Sequence, residues 1–173
     1  MVLRDKFGRF EVPVNIERFD YASYFEKNEN GFEKDEYGFE KDENGGHKDL
    51  PPYLVQYDPE SNTVTVDTRA PEEYIRYTAL HEAICGGNCG KFCGANLPKP
   101  GDENRCQMVE KTILEEVVPV EQQEKYARQR VEMFTALLDM NLNEKANPAF
   151  RKSLIYLESW LRKHAGHKHI KAE

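Results

Sequence analysis

The chain has 173 residues, 39% of them hydrophobic and 32% charged, with a formal net charge of −7; this suits one domain with an appendage, a modest core and a highly charged surface. It holds no apolar run of about 18 residues or more, so no membrane-spanning helix is expected, and its acidity argues against a nucleic-acid partner, which needs a basic face. The opening MVLRDKFGRFEV lacks an apolar signal segment, which points to a cytoplasmic chain.

Residues 1–23 form an N-terminal strand region with one strand predicted over 9–16, where Pro13 marks an edge strand or a late start. Residues 24–50 are different in kind. Three tandem seven-residue units, YFEKNEN, GFEKDEY and GFEKDEN, fill 24–44. Each unit offers one phenylalanine among mostly like charges, so the period of seven does not make a coiled coil. The segment reads as an acidic loop, and it lacks the ligand spacing of an EF-hand. Residues 24–44 carry eight acids and three lysines, so most of the net charge is local to the repeat.

Residues 51–165 are predicted to form an α+β domain, a small antiparallel sheet followed by about four helices. YLVQY and TVTVD, separated by the turn DPESN, read as a β-hairpin over 53–67. A helix is predicted over 71–85, with Pro71 at its first position, Glu72 and Glu73 against the N-terminal dipole, and Gly86-Gly87 as its stop. A Gly/Pro-rich loop follows, then a helix over 105–118 with Val109, Ile113 and Val117 as its apolar stripe and Pro119 as its end. A third helix is expected over 121–140, buried through Ala127, Val131, Phe134 and Leu138. The last opens at Asn147 and Pro148 and buries Phe150, Leu154, Leu157 and Leu161. Residues 166–173 are a tail, with His167 and His169 beside His164.

The chemistry concentrates in LHEAICGGNCGKFCG, residues 80–94. All four cysteines, Cys85, Cys89, Cys93 and Cys106, lie within 22 residues, and without a secretion signal such clustering favours metal over disulfides. His81 and Cys85 are four apart, one turn apart on one helix face, close enough to share a metal. Glu82 lies about 100° round the same helix, a position from which a carboxylate can take a proton from metal-bound water. The helix over 105–118 offers Cys106 and Glu110, again four apart, for a third ligand, and Cys89 and Cys93 are further candidates. No phosphate-cradling glycine loop is present, because Gly86, Gly87, Gly90 and Gly94 follow a helix rather than open one.

The order of strand TVTVD, acidic helix start, YTALHEAIC, loop and second helix resembles the small zincin metallopeptidase domains of bacteria and phages, over roughly residues 53–119. In those domains the helix reads His-Glu-x-x-His and a glutamate on the next helix completes the zinc site. The resemblance implies zinc held by His81, the residue at Cys85 and Glu110, with Glu82 as general base. The family's second histidine is Cys85 here. Two functions are therefore expected: a zinc-binding zincin-like domain acting as a metal-dependent peptidase with an altered ligand, or a non-enzymatic accessory or adaptor protein of the kind phages encode, with a structural Cys/His zinc site and a protein or peptide partner.

Overall fold

A computed structural model describes residues 2–4, 11–21, 53–87, 97–141 and 144–164. The heptapeptide repeat, Cys89, Cys93, and the tail residues His167 and His169 lie outside the described residues. Strand β1 (Val2–Arg4) pairs antiparallel with β2 (Glu11–Pro13). Strand β3 (Asn15–Phe19) belongs to a second sheet with the hairpin β4 (Val55–Asp58) and β5 (Thr63–Asp67). The single strand expected over 9–16 is thus two strands. Pro13, which has no N–H for a ladder, ends the first, and the chain changes partner there. Val12 and Val14, two apart and so on one side of the chain, are both buried.

The α+β class is as the sequence predicts, but the second sheet is mixed rather than wholly antiparallel. The hairpin runs Val55↔Val66 to Asp58↔Thr63, whereas β3 lies parallel to β5, with Ile16 opposite Val64. A parallel pair needs a long return connection, and the segment 20–54 provides it. Strand β5 is central, which explains why Thr63, Val64, Val66 and Asp67 are all buried although the sequence alternates. Buried Asp67 is satisfied: it accepts from the Leu54 N–H at 3.1 Å and the Arg69 N–H at 3.0 Å, and pairs with the Arg69 guanidinium at 2.5 Å.

After Pro71 the chain makes one 3₁₀ turn (Glu72–Tyr74) before α1 (Ile75–Cys85) begins. Ile75, Thr78, Ala79, Leu80, Ala83 and Ile84 are buried, so α1 is covered on most sides and shows no single apolar stripe. It packs on β4 and β5. Its end is made by two glycines. A Cβ on Gly86 would run into the Tyr57 ring, and Gly87 stands at φ +107°, where a side chain is strained. Gly87→Ala is expected to cost about 1–2 kcal/mol, read as a lower urea midpoint with unchanged slope.

Helix α2 (Glu103–Thr112) starts at Asp102, whose carboxylate accepts from the Asn104 N–H at 2.8 Å. Its last turn widens into a π-turn, Ile113–Val117, closed by the Val118 N–H on the Ile113 carbonyl at 2.9 Å. Pro119 bars Val118 from helical backbone, and Val118 is extended at φ −70°, ψ 128°. Helix α3 (Val120–Met140) ends at Asn141, φ +49°. Helix α4 (Asn147–His164) packs on both α2 and α3. Its predicted stripe faces the core, with Leu157 fully buried and Phe150, Leu154 and Leu161 packed beside it. His164 stacks on Trp160, ring centroids 4.1 Å apart, and contacts the Trp160 carbonyl at 2.8 Å. No helix among the described residues is long and apolar enough to cross a membrane.

Candidate metal centre

Three helices meet at one point. Helix α1 brings His81, Glu82 and Cys85, α2 brings Cys106 and Glu110, and α3 brings Arg130. Among the described residues, His81, Cys85 and Cys106 form one group able to hold a metal ion, their donor atoms all within 4.8 Å of one another. The Cys85 Sγ is 3.4 Å from the His81 Nε2. For zinc in a tetrahedral site, bond lengths of about 2.3 Å to sulfur and about 2.05 Å to nitrogen place such donors about 3.6 Å apart, and two sulfurs about 3.8 Å apart. The cluster therefore fits the ion with small side-chain adjustments. Its donors, one imidazole and two thiols, are soft enough for zinc and unsuited to calcium or magnesium.

Glu110 does not converge with these donors. It lies behind His81, its Oε2 2.8 Å from the His81 Nδ1. The approach is oblique to the ring N–H, so the two meet as an ion pair rather than through a straight hydrogen bond. Both Glu110 oxygens accept from Arg130, Nε to Oε1 and Nη2 to Oε2, each at 3.1 Å. His81, Glu110 and Arg130 are almost wholly excluded from solvent, at 2%, 0% and 2% exposure. A carboxylate on Nδ1 assigns the proton to that nitrogen and leaves Nε2 facing the thiols, the orientation a metal-binding histidine requires. Phe134 covers the group: its ring lies edge-on to His81 at 6.2 Å and under the Arg130 guanidinium at 4.8 Å.

The two ligand helices are also tied together. Buried Arg105 donates from Nε and Nη2 to the Ile84 carbonyl at 3.0 and 2.5 Å, and from Nη1 to the Pro98 carbonyl at 2.5 Å. It thereby satisfies a carbonyl at the C-terminal end of α1, where a cation is favoured. Ile84 precedes Cys85 and Arg105 precedes Cys106, so this link sets the two sulfurs side by side.

The charges follow from the contacts. Burial pushes Glu110 up, but the Arg130 and His81 charges outweigh it and hold the carboxyl at about 2. Burial pulls His81 down, yet the Glu110 charge raises it to about 9 against the opposing Arg130. Cys106 falls to about 5 because Cys85 donates to it and His81 adds its own hydrogen bond and charge, against burial. Cys85, the donor, is pushed well up by that bond and by burial. At neutral pH and without metal, these directions favour a thiolate at Cys106, a thiol at Cys85 and a protonated His81.

Metal must displace the protons on His81 and Cys85, whereas Cys106 is already ionised above about 5. Affinity should therefore rise with pH between about 5 and 9, with about two protons released per metal bound. The slope of log affinity against pH, from chelator competition, checks this.

Glu82 is half-buried and feels the cluster. Burial pushes its carboxyl up, His81 and Arg130 pull it down, and Cys106 and Glu110 push it up again. Sequence reasoning missed Arg130 and Arg105. A cation at 130, inside the apolar stripe of Ala127 and Phe134, is the signal that could have marked Arg130 as the partner of a buried acid. Comparison with protein-family models, curated proteins and solved structures finds no match to this chain.

Proposed function

We propose that this chain is a zinc-binding, zincin-like protein whose ion rests on His81, Cys85 and Cys106 and which hydrolyses peptide bonds with Glu82 as general base. The observation that carries the reading is the convergence of three soft donors from two helices within 4.8 Å, with a buried carboxylate orienting the histidine. Catalytic zinc sites keep three protein ligands and leave a fourth position for water, and Cys₂His is one of the donor sets that do so. Glu110, the third ligand that the zincin resemblance implies, takes the part of the orienting carboxylate, and Cys106, one turn nearer the helix start, takes its place. Glu82 adjoins His81 in sequence, is half-buried, and feels the His81 charge, which supports its reading as the base for zinc-bound water.

The pair of thiolates favours a second reading. Each thiolate gives charge to the metal and lowers its Lewis acidity, and a further cysteine, Cys89 or Cys93, would close the sphere. The ion would then staple the end of α1 to the start of α2, and the chain would act as an adaptor toward a protein partner.

Two measurements on the purified chain separate these readings. The first is zinc per chain, expected to be one. The second is hydrolysis of a fluorogenic peptide library by wild type and Glu82→Gln. The variant should keep its zinc and lose hydrolysis by about 10²–10⁴-fold. Stoichiometric zinc without hydrolysis in the wild type selects the adaptor, and absence of zinc sinks both.

A further inference from the structure

Cys85 and Cys106 are the only two sulfurs in the described part of the site, and they come from different helices. Both residues are half-buried rather than sealed. Their Sγ atoms lie within 4.8 Å of each other, against about 2.05 Å in a disulfide. Cys85 is the last residue of α1, followed by the exposed pair Gly86-Gly87, whereas Cys106 lies inside α2. Among the described residues, the third corner of the cluster is His81.

We infer that the metal site is redox-gated: Cys85 and Cys106 form a disulfide with a small-molecule disulfide as oxidant, and this expels the metal. The inference rests on the zinc reading and adds its regulation. The chemistry is thiol–disulfide exchange. One cysteine sulfur attacks the oxidant RSSR, forming a mixed disulfide and releasing RS⁻, which takes up the proton that the cysteine gives up. The second cysteine attacks the protein-side sulfur, forming the Cys85–Cys106 bond and releasing a second RS⁻, which is protonated in the same way. Two electrons pass from the cysteine pair to RSSR, which leaves as two thiols. Zinc keeps its oxidation state and departs because two of its three described donors are gone. Conversely, zinc ties up both sulfurs and protects them.

The test uses glutathione disulfide on the full chain carrying Cys89→Ser and Cys93→Ser, with wild type in parallel so that a folding defect in the variant does not decide the result. Protein stripped of metal under reduction should lose two thiols and show residues 85 and 106 joined in fragment mass spectra. Zinc at about 100 times its dissociation constant should slow this by about a hundredfold, and each disulfide formed should release one zinc to a chromogenic indicator. If zinc binds stoichiometrically but the stripped chain forms no 85–106 disulfide, the zinc reading stands and the gate is overturned. If the disulfide forms equally fast with and without zinc, or if zinc never binds, the gate is likewise overturned, and in the last case the zinc reading falls with it.

Discussion

Arg130→Met is expected to destabilise the chain by about 3–5 kcal/mol, seen as a lower urea midpoint. The guanidinium makes two bonds to a carboxylate with no solvent exposure. Its removal takes away both of the bonds it donates and leaves His81 as the one charged partner of a carboxylate that water cannot reach, and breaking a buried pair by removing one partner costs more than the intact pair contributes. For the same reason the double variant Arg130→Met/Glu110→Leu should recover most of the loss, because neither charge is stranded. Non-additivity between the two substitutions is the signature of a direct pair.

The pH dependence gives a second check on the same group. Glu110 titrates in the folded chain at about 2, below its ordinary value of 4.5. Its stabilisation is therefore complete above about 4.5 and lost as pH falls toward about 2. His81 is shifted the other way, from 6.5 to about 9. Its contribution is complete below about 6.5 and lost as pH rises through about 9. The double variant should flatten both limbs in metal-free protein. Metal alters the alkaline limb alone, since it takes the place of the His81 Nε2 proton, while Arg130 still balances Glu110.

Much of this arrangement is visible in the sequence because it is local. His81 with Cys85, and Cys106 with Glu110, are four apart, and helical geometry puts each pair on one face whatever surrounds it. The hairpin and the stripe of α4 are legible for the same reason, since period two and period 3.6 are written in neighbouring residues. The choice between Cys106 and Glu110 as metal donor is not local. Both lie on the same face of α2, one turn apart, and depth decides between them. Glu110 sits deeper, where α3 presents Arg130, and is drawn into that pair; Cys106 is left beside Cys85. Arg105 escaped notice similarly, since its partner is a carbonyl 21 residues away. The parallel β3–β5 pairing has no local signature, because the register is set across the segment 20–54.

Cys106→Ser is expected to lower zinc affinity by at least about a hundredfold, as are Cys85→Ser and His81→Ala, since each removes one of three protein donors and a hydroxyl does not ionise to replace a thiolate at neutral pH. Glu110→Gln should act more mildly, by about 10–100-fold, because it removes the carboxylate that orients His81 and leaves all three donors in place. That ordering separates an orienting residue from a ligand, provided the fold is monitored by circular dichroism in each variant. Cobalt substitution sharpens the distinction. A tetrahedral site with two thiolates gives an intense sulfur-to-cobalt charge-transfer band, which should fall to about half in either cysteine variant and keep its intensity in Glu110→Gln at saturating metal. Cys89→Ser and Cys93→Ser complete the argument. If the fourth position belongs to water, both retain wild-type affinity and the full band, as hydrolysis requires. If either lowers affinity as far as Cys106→Ser does, the sphere is closed by protein, Glu82 has no metal-bound water to act on, and the ion is a staple between α1 and α2.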